Sequence, residues 1–271
     1  MVRKALSIAG FDGSGGAGLQ ADLKTFSAFG CYGMTVLTAL PVQNTQGVRN
    51  CYPIPLKAVE EQLSAIFDDI RPDVIKVGML FNSDVINYVA DFLAKYAYDI
   101  PIVLDPVMVA KSGDDLLDPP AVSTLIEKIL PLVTIVTPNY YEAEKLALQS
   151  INSCQDICTA ARRILQHGAK AVLLKGGHSL DNDCDDLLLY DDKEEWLKSK
   201  RIDTINNHGT GCTLSAAIAS GLGLGLSIPD SCKLAKRYIS MALASFENEK
   251  IGKGHGPVNH FYHLWPSVDL I

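Results

Sequence analysis

Short apolar runs alternate with amphipathic stretches from one end of the chain to the other, and no other feature of the sequence narrows the fold as far. Residues 4–9, 34–40, 73–77, 102–104, 134–137 and 171–174 read as buried strands. Between them, residues 18–29, 55–70, 83–96, 121–129, 142–148 and 155–166 carry apolar side chains at helical spacing. In 55–70 these are Leu56, Val59, Leu63, Ile66, Phe67 and Ile70, with Pro55 suited to a first turn. Residues 185–199 read as a local hairpin and 231–248 as the last long helix. This order predicts an α/β protein whose mostly parallel central sheet is covered by helices on both faces. No linker, repeat or low-complexity stretch interrupts the pattern, so residues 1–271 are expected to form a single domain.

In such sheets ligands collect at the carboxyl ends of the strands. The polar motifs of this chain fall there: Gly10–Gly18, Gln43, Asp105, Asn139 and Lys175 each follow a predicted strand. Gly13-Ser14-Gly15-Gly16-Ala17-Gly18 has the GxGxxG spacing of a dinucleotide loop, but that reading requires an acidic residue some ~20 positions on to hold a ribose. Between Asp22 and Glu60 the chain contains no Asp or Glu, and no GK[ST] phosphate loop occurs anywhere. The glycines are better explained by a backbone that approaches a small ligand closely, with Asp22 in the helix that follows.

Charge excludes further classes. Acidic residues outnumber basic ones 31 to 24, giving a net charge of −7. That balance argues against a general nucleic-acid or anionic-membrane partner. Seven cysteines, an odd number with no CxxC, argue for reduced thiols and a cytoplasmic setting. The apolar run after Arg3 and Lys4 stops at Gly10, too early for a signal peptide. The charge-free window 204–229 is too rich in Gly, Ser, Thr and Asn for a membrane span. His178, His255, His260 and His263 fit no common metal-binding spacing.

The most informative stretch is Asn207-His208-Gly209-Thr210-Gly211-Cys212. Glycines that let backbone N–H groups converge on a helix start make an anion site suited to a phosphoryl group in transfer. Cys212 falls in the first helical turn, where its thiol pKa is expected to be lowered.

Taken with Ala9–Thr25, Gln43-Asn44-Thr45-Gln46-Gly47, Lys76-Val77-Gly78-Met79-Leu80 and Leu104-Asp105-Pro106-Val107-Met108, this stretch resembles the hydroxymethylpyrimidine/phosphomethylpyrimidine kinases. Thr137-Pro138-Asn139-Tyr140-Tyr141-Glu142-Ala143, Leu174-Lys175-Gly176-Gly177-His178 and Gly252-Lys253-Gly254-His255-Gly256-Pro257-Val258 extend the resemblance in order along nearly the whole chain. It implies a ribokinase-like three-layer αβα sandwich and a homodimer. It also implies a thiamine-biosynthesis enzyme that uses ATP and Mg²⁺ to phosphorylate 4-amino-5-hydroxymethyl-2-methylpyrimidine, then its monophosphate. Pyridoxal kinase of the same fold is the alternative, less well served by the Gln43–Gly47 stretch.

The amide of Gln43 can pair with an aminopyrimidine edge, accepting from the amino group and donating to the ring nitrogen. By resemblance Gly10, Asp22, Met79 and Val107 also surround the pyrimidine, with Asp22 on its hydroxymethyl or ring substituents. Asn139 and Glu142 match a superfamily motif for Mg²⁺ and phosphate, though the same pair also reads as a helix capping box. Asp105 is a further candidate metal or water contact, and Lys175 a point charge on the transferring phosphate. Gly209, Thr210 and Gly211 would form the anion site, with Thr210 toward the nucleotide. Cys212 stands where most sugar kinases of this fold carry an aspartate base. A thiol there would not repel the already ionised phosphate acceptor of the second reaction.

Overall fold

The computed structural model describes residues 1–108, 117, 119–176, 185–246 and 249–264. The first half alternates as predicted. Strand β1 (Lys4–Ala9) leads into α1 (Gly18–Ala28) and β2 (Tyr32–Leu37), and a short antiparallel pair follows, β3 (Ala39–Asn44) and β4 (Gly47–Pro53). Helix α2 (Leu56–Asp69), β5 (Val74–Val77), α3 (Ser83–Tyr96) and β6 (Ile102–Leu104) come next.

The second half begins with α4 (Pro119–Thr124), then β7 (Ile135–Val136), α5 (Tyr140–Ala147), α6 (Cys154–Gln166) and β8 (Ala171–Leu174). It ends with the hairpin β9 (Asp186–Tyr190) and β10 (Lys193–Leu197), α7 (Thr210–Gly223) and α8 (Ile228–Ala244).

Eight strands form one sheet in the order β10-β9-β8-β7-β6-β5-β1-β2. The six from β2 to β8 run parallel; β9 is antiparallel to β8, and β10 to β9. The order reverses at β1, which has β2 on one side and β5 on the other, so the crevice between the ends of β1 and β5 is where a ligand is expected.

Side chains alternate across the sheet. Leu6, Ile8, Ile75, Val77, Ile102 and Leu104 pack with α2, α3 and α5, while Ala5, Val74, Val103 and Leu173 face α7 and α8. The result is three layers with a core on each side of the sheet.

Two predicted elements are corrected. The run 34–40 is not one strand. Thr38 breaks it, its N–H bonding to the Ala9 carbonyl and its hydroxyl to that of Met79 (2.5 Å), and the chain leaves the main sheet for the β3–β4 pair. Gln43 therefore lies in β3, beside an irregularity between Val42 and Gln43, rather than after the second strand. The helix predicted at 121–129 widens into a π-turn over Leu125–Ile129 and tightens to a 3₁₀ turn over Leu130–Leu132. Its apolar spacing runs through the change, so periodicity does not reveal it. Among the described residues, no helix is long and apolar enough to cross a membrane.

Candidate active site

The two glycine motifs are built on each other. The first is organised by Asp12, which is fully buried. Its Oδ1 accepts from the Ser14 N–H and hydroxyl (2.9 and 2.7 Å), and its Oδ2 from the N–H groups of Gly16 (3.1 Å) and Ala17 (2.7 Å). Nε2 of His208, from the second motif, lies 2.8 Å from the same Oδ2. Burial alone would raise the Asp12 pKa, but His208 and Ser14 bring it down to about 2. Gly209 has φ +77, and a Cβ there would come within 1.8 Å of the Gly16 carbonyl oxygen. Only glycine permits that approach.

Sequence reasoning gave Asp12 no role. An aspartate followed by Gly-Ser-Gly is the signal that was available, because Asx side chains bond the backbone two residues on.

Helix α7 starts at this junction with no side-chain cap, leaving its first N–H groups for a ligand. The Thr210 hydroxyl donates to the Asn207 carbonyl within the turn (2.7 Å). Gly211 passes over Lys175 and Asp105; a Cβ on it would lie 3.3 Å from Lys175 Nζ and 3.6 Å from Asp105 Oδ2.

Lys175 Nζ is 3.2 Å from Asp105 Oδ1 and 3.9 Å from Glu142 Oε2. Burial works against the ammonium, yet the two carboxylates hold its pKa above the ordinary lysine value. Asp105 is itself held below the carboxylate range, because Lys175 and Lys76 outweigh its burial. For Glu142 the balance is reversed: burial pushes its carboxyl up to about 7 against the pull of Lys175. Asn139 and Glu142 form a full capping box on α5, with Asn139 N–H to Oε2 at 2.8 Å and Glu142 N–H to Asn139 Oδ1 at 2.9 Å. The predicted ends of β6, β7 and β8 thus bring Asp105, Asn139, Glu142 and Lys175 together. Gly177 and His178, the rest of the Lys175 motif, lie outside the described residues.

Gly10 and Met79 meet at the ends of β1 and β5, the reversal point of the sheet. A Cβ on Gly10 would lie 3.2 Å from the Met79 sulfur and 3.7 Å from Pro41 of β3. Gln43 reaches back to this corner, its Nε2 3.4 Å from the Phe11 carbonyl. Val107, just past β6, is half-buried.

One expectation is overturned here. Cys212 is half-buried at the start of α7, and the Gly18 N–H is among the groups that act on its sulfur. Its thiol is nevertheless not lowered: burial pushes it up to about 12. Withdrawal from water outweighs the pull of Lys76 and the Gly18 N–H, so at neutral pH the group is a protonated thiol. Asp22 is fully buried, with Oδ2 accepting from the Ser7 hydroxyl (2.5 Å) and from Lys76 Nζ (2.9 Å).

The tail closes the site. The His208 N–H bonds to the Gly256 carbonyl (2.9 Å), the His255 N–H to the Thr45 carbonyl (2.8 Å), and the Gly254 N–H to the Thr45 hydroxyl (3.3 Å). Residues 254–257 therefore join the turn of the β3–β4 pair to the start of α7.

An uncapped helix start beside a lysine and two carboxylates suits a phosphoryl group, and comparison with known proteins points to a kinase. The family model described as phosphomethylpyrimidine kinase matches residues 12–259. The hydroxymethylpyrimidine/phosphomethylpyrimidine kinase of Rhizobium meliloti is 45% identical over 266 residues, covering 98% of this chain and 99% of that protein. The thiamine biosynthesis bifunctional protein ThiED of Geobacter sulfurreducens is 47% identical over 255 residues, 94% of this chain and 51% of that longer protein. Among solved structures, an ADP complex of Bacillus subtilis pyridoxal kinase superposes with a TM-score of 0.90 at 35% identity, covering 98% of this chain and all of that one.

Proposed function

The chain belongs to the phosphomethylpyrimidine kinase family, and from that premise we propose that it uses ATP to phosphorylate 4-amino-5-hydroxymethyl-2-methylpyrimidine and then the resulting monophosphate, in thiamine biosynthesis. The observation that carries this reading is that an uncapped α7 start, Lys175 and two carboxylates stand at the same edge of the sheet as the corner formed by Gly10, Met79 and Gln43, on neighbouring strands. Phosphoryl transfer asks chiefly for positioning and charge stabilisation. Lys175 and the α7 N–H groups supply positive charge where the transferring group passes. The corner at β1, β3 and β5 supplies an apolar wall and one amide for the acceptor ring.

Asp105 and Glu142 fit a magnesium ion. They place two buried carboxyl groups beside one ammonium, and a hard dication there would favour the ionised form of Glu142, whose pKa of about 7 leaves it poised to lose its proton. Mg²⁺ bound there with the nucleotide would neutralise charge on the phosphates. The direct test is ATP turnover measured side by side with hydroxymethylpyrimidine, its monophosphate and pyridoxal. Turnover confined to pyridoxal would replace the pyrimidine reading with the pyridoxal kinase one.

Two variants probe the acceptor side. Gln43→Ala should weaken pyrimidine binding by roughly 1–3 kcal/mol and leave ATP affinity unchanged, since one directional amide pair is lost. Calorimetric titration with each ligand checks this, and an equal loss for both would remove Gln43 from the pyrimidine site.

Cys212→Ala should slow phosphorylation of the alcohol by about 10–100-fold, the scale for losing a group that positions the reacting hydroxyl. Phosphorylation of the monophosphate should lose much less, because that nucleophile arrives ionised. With the thiol pKa at about 12, serine in its place is also a protonated donor and should restore most of the rate. A serine variant as slow as the alanine one would show that sulfur chemistry, rather than positioning, matters at Cys212.

A further inference from the structure

Lys175 is held by its backbone as well as by its ammonium. Its N–H donates to the Pro138 carbonyl beyond β7 (2.8 Å). The N–H of the next residue, Gly176, donates to Asp186 Oδ1 (2.8 Å). Asp186 opens β9, and Leu174 pairs with Leu187 in the ladder between β8 and β9. Beyond that pair the outgoing backbone of β8 is received by the Asp186 side chain. The Asp185 carbonyl stands where a side chain on residue 176 would begin, 1.8 Å from a Cβ built there. Residue 176 can therefore only be glycine, and the chain entering β9 presses directly on the backbone that follows Lys175.

Asp186 is a costly residue for this place. Leu187, Leu188 and Leu189 carry β9 on as a buried apolar strand, and Asp186 itself is 3% exposed. Alternation along the strand puts Asp186 on the side of Leu188, which packs in the core shared with α8. There its Oδ2 meets Lys236 Nζ of α8 at 2.7 Å. A buried ion pair is often replaceable by apolar side chains with no loss of stability. What apolar side chains could not supply is an acceptor for the Gly176 N–H.

The acceptor matters because of what stands next to it. Lysine carries its charge on a flexible stem. Its ammonium keeps a fixed place beside Asp105 and Glu142 only if the backbone beneath it is fixed too. Pro138 secures that backbone on one side of the Lys175 Cα and Asp186 secures it on the other.

We infer that Asp186 is a positioning residue for phosphoryl transfer: its carboxylate, tied to α8 by Lys236, holds Gly176 and with it the backbone from which Lys175 meets the transferring group. This role rests on the reading of Lys175 as the charge on that group.

Two double variants separate the hydrogen bond from the charges. Asp186→Leu/Lys236→Met removes both charges and the acceptor. Asp186→Asn/Lys236→Met removes both charges and keeps an oxygen for the Gly176 N–H. Both share Lys236→Met, so every other contact of Lys236 cancels in the comparison. Steady-state kinetics at saturating ATP, with whichever acceptor is turned over, reads the effect, so failure of the pyrimidine reading leaves the comparison standing. The leucine pair should lower kcat about tenfold or more with little change in acceptor KM, because slight misplacement of a group at the reacting centre carries losses of up to about 10²-fold. The asparagine pair should recover most of that loss. Both pairs are also made in the Lys175→Ala protein. There the leucine pair should lower kcat by less than about twofold further, since residues that act as a unit are not additive. An aspartate that only stabilised the hairpin would give the same factor in both backgrounds. Equal kcat for the leucine and asparagine pairs, or an equal leucine effect with and without Lys175, would overturn the proposal. Unchanged kcat in Lys175→Ala alone would overturn the reading of Lys175 and this role with it. If the leucine pair does not fold, Asp186→Ala/Lys236→Met, which leaves room for water, takes its place and is judged by the same outcomes.

Discussion

Lys175→Ala is expected to lower kcat for both phosphorylations by about 10²–10³-fold, with a much smaller change in KM. That is the scale for removing one preorganised group that meets charge developing in a transition state. Lys175 is suited to this because its ammonium is fixed before any ligand arrives, between Asp105 and Glu142 and under the Cβ-less face of Gly211. No reorganisation is needed when the phosphoryl group passes. Steady-state kinetics with each acceptor is the check. Unchanged turnover with a raised KM would make Lys175 a ground-state binder only.

The largest stability effect is expected at Asp12. Asp12→Ala should cost about 3–5 kcal/mol, because it strips partners from several backbone N–H groups packed under two loops. The pH dependence follows from its sign. The folded pKa, about 2, lies below the ordinary 3.8, so the carboxylate stabilises the fold above that ordinary value and loses the contribution as pH falls toward 2. Thermal melts of the unmodified protein and the variant should therefore converge as the solution is acidified from neutral. Equal separation at every pH would mean that the ionised form of Asp12 is not what holds the loops.

What was legible in the sequence divides along physical lines. Strands β1, β6 and β8 and helix α3 fall where apolar spacing places them, because each is bounded by a breaker or a cap: Gly10, Asp105-Pro106, Lys175-Gly176, and Asn82, whose side chain accepts from the Val85 N–H. Asp105, Asn139, Glu142 and Lys175 were findable because parallel strands deliver their following residues to one edge. The β3–β4 pair was hidden by its composition, since Ala39-Leu40-Pro41-Val42 continues an apolar run and the turn at Thr38 depends on bonds to distant strands.

The thiol of Cys212 departs from its expected acidity for a related reason. A helix start is visible in sequence, whereas the depth of burial that outweighs it is not. The Lys76–Asp22 pair was invisible as a pair. Its members are 54 positions apart, and a lysine in a strand pattern gives no sign of facing inward.

The interlock of the two glycine loops also bears on the history of each molecule in the cell. Asp12 and His208 are 196 positions apart, and Thr45 meets Gly254 across 209. A chain on the ribosome therefore carries the corner of Gly10, Gln43 and Met79 long before it has the second glycine loop. Contacts of such sequence separation form late and slowly. Closure of the two loops on each other must therefore wait until residues 254–257 fold back onto Thr45 and His208, after every strand of the main sheet has been made.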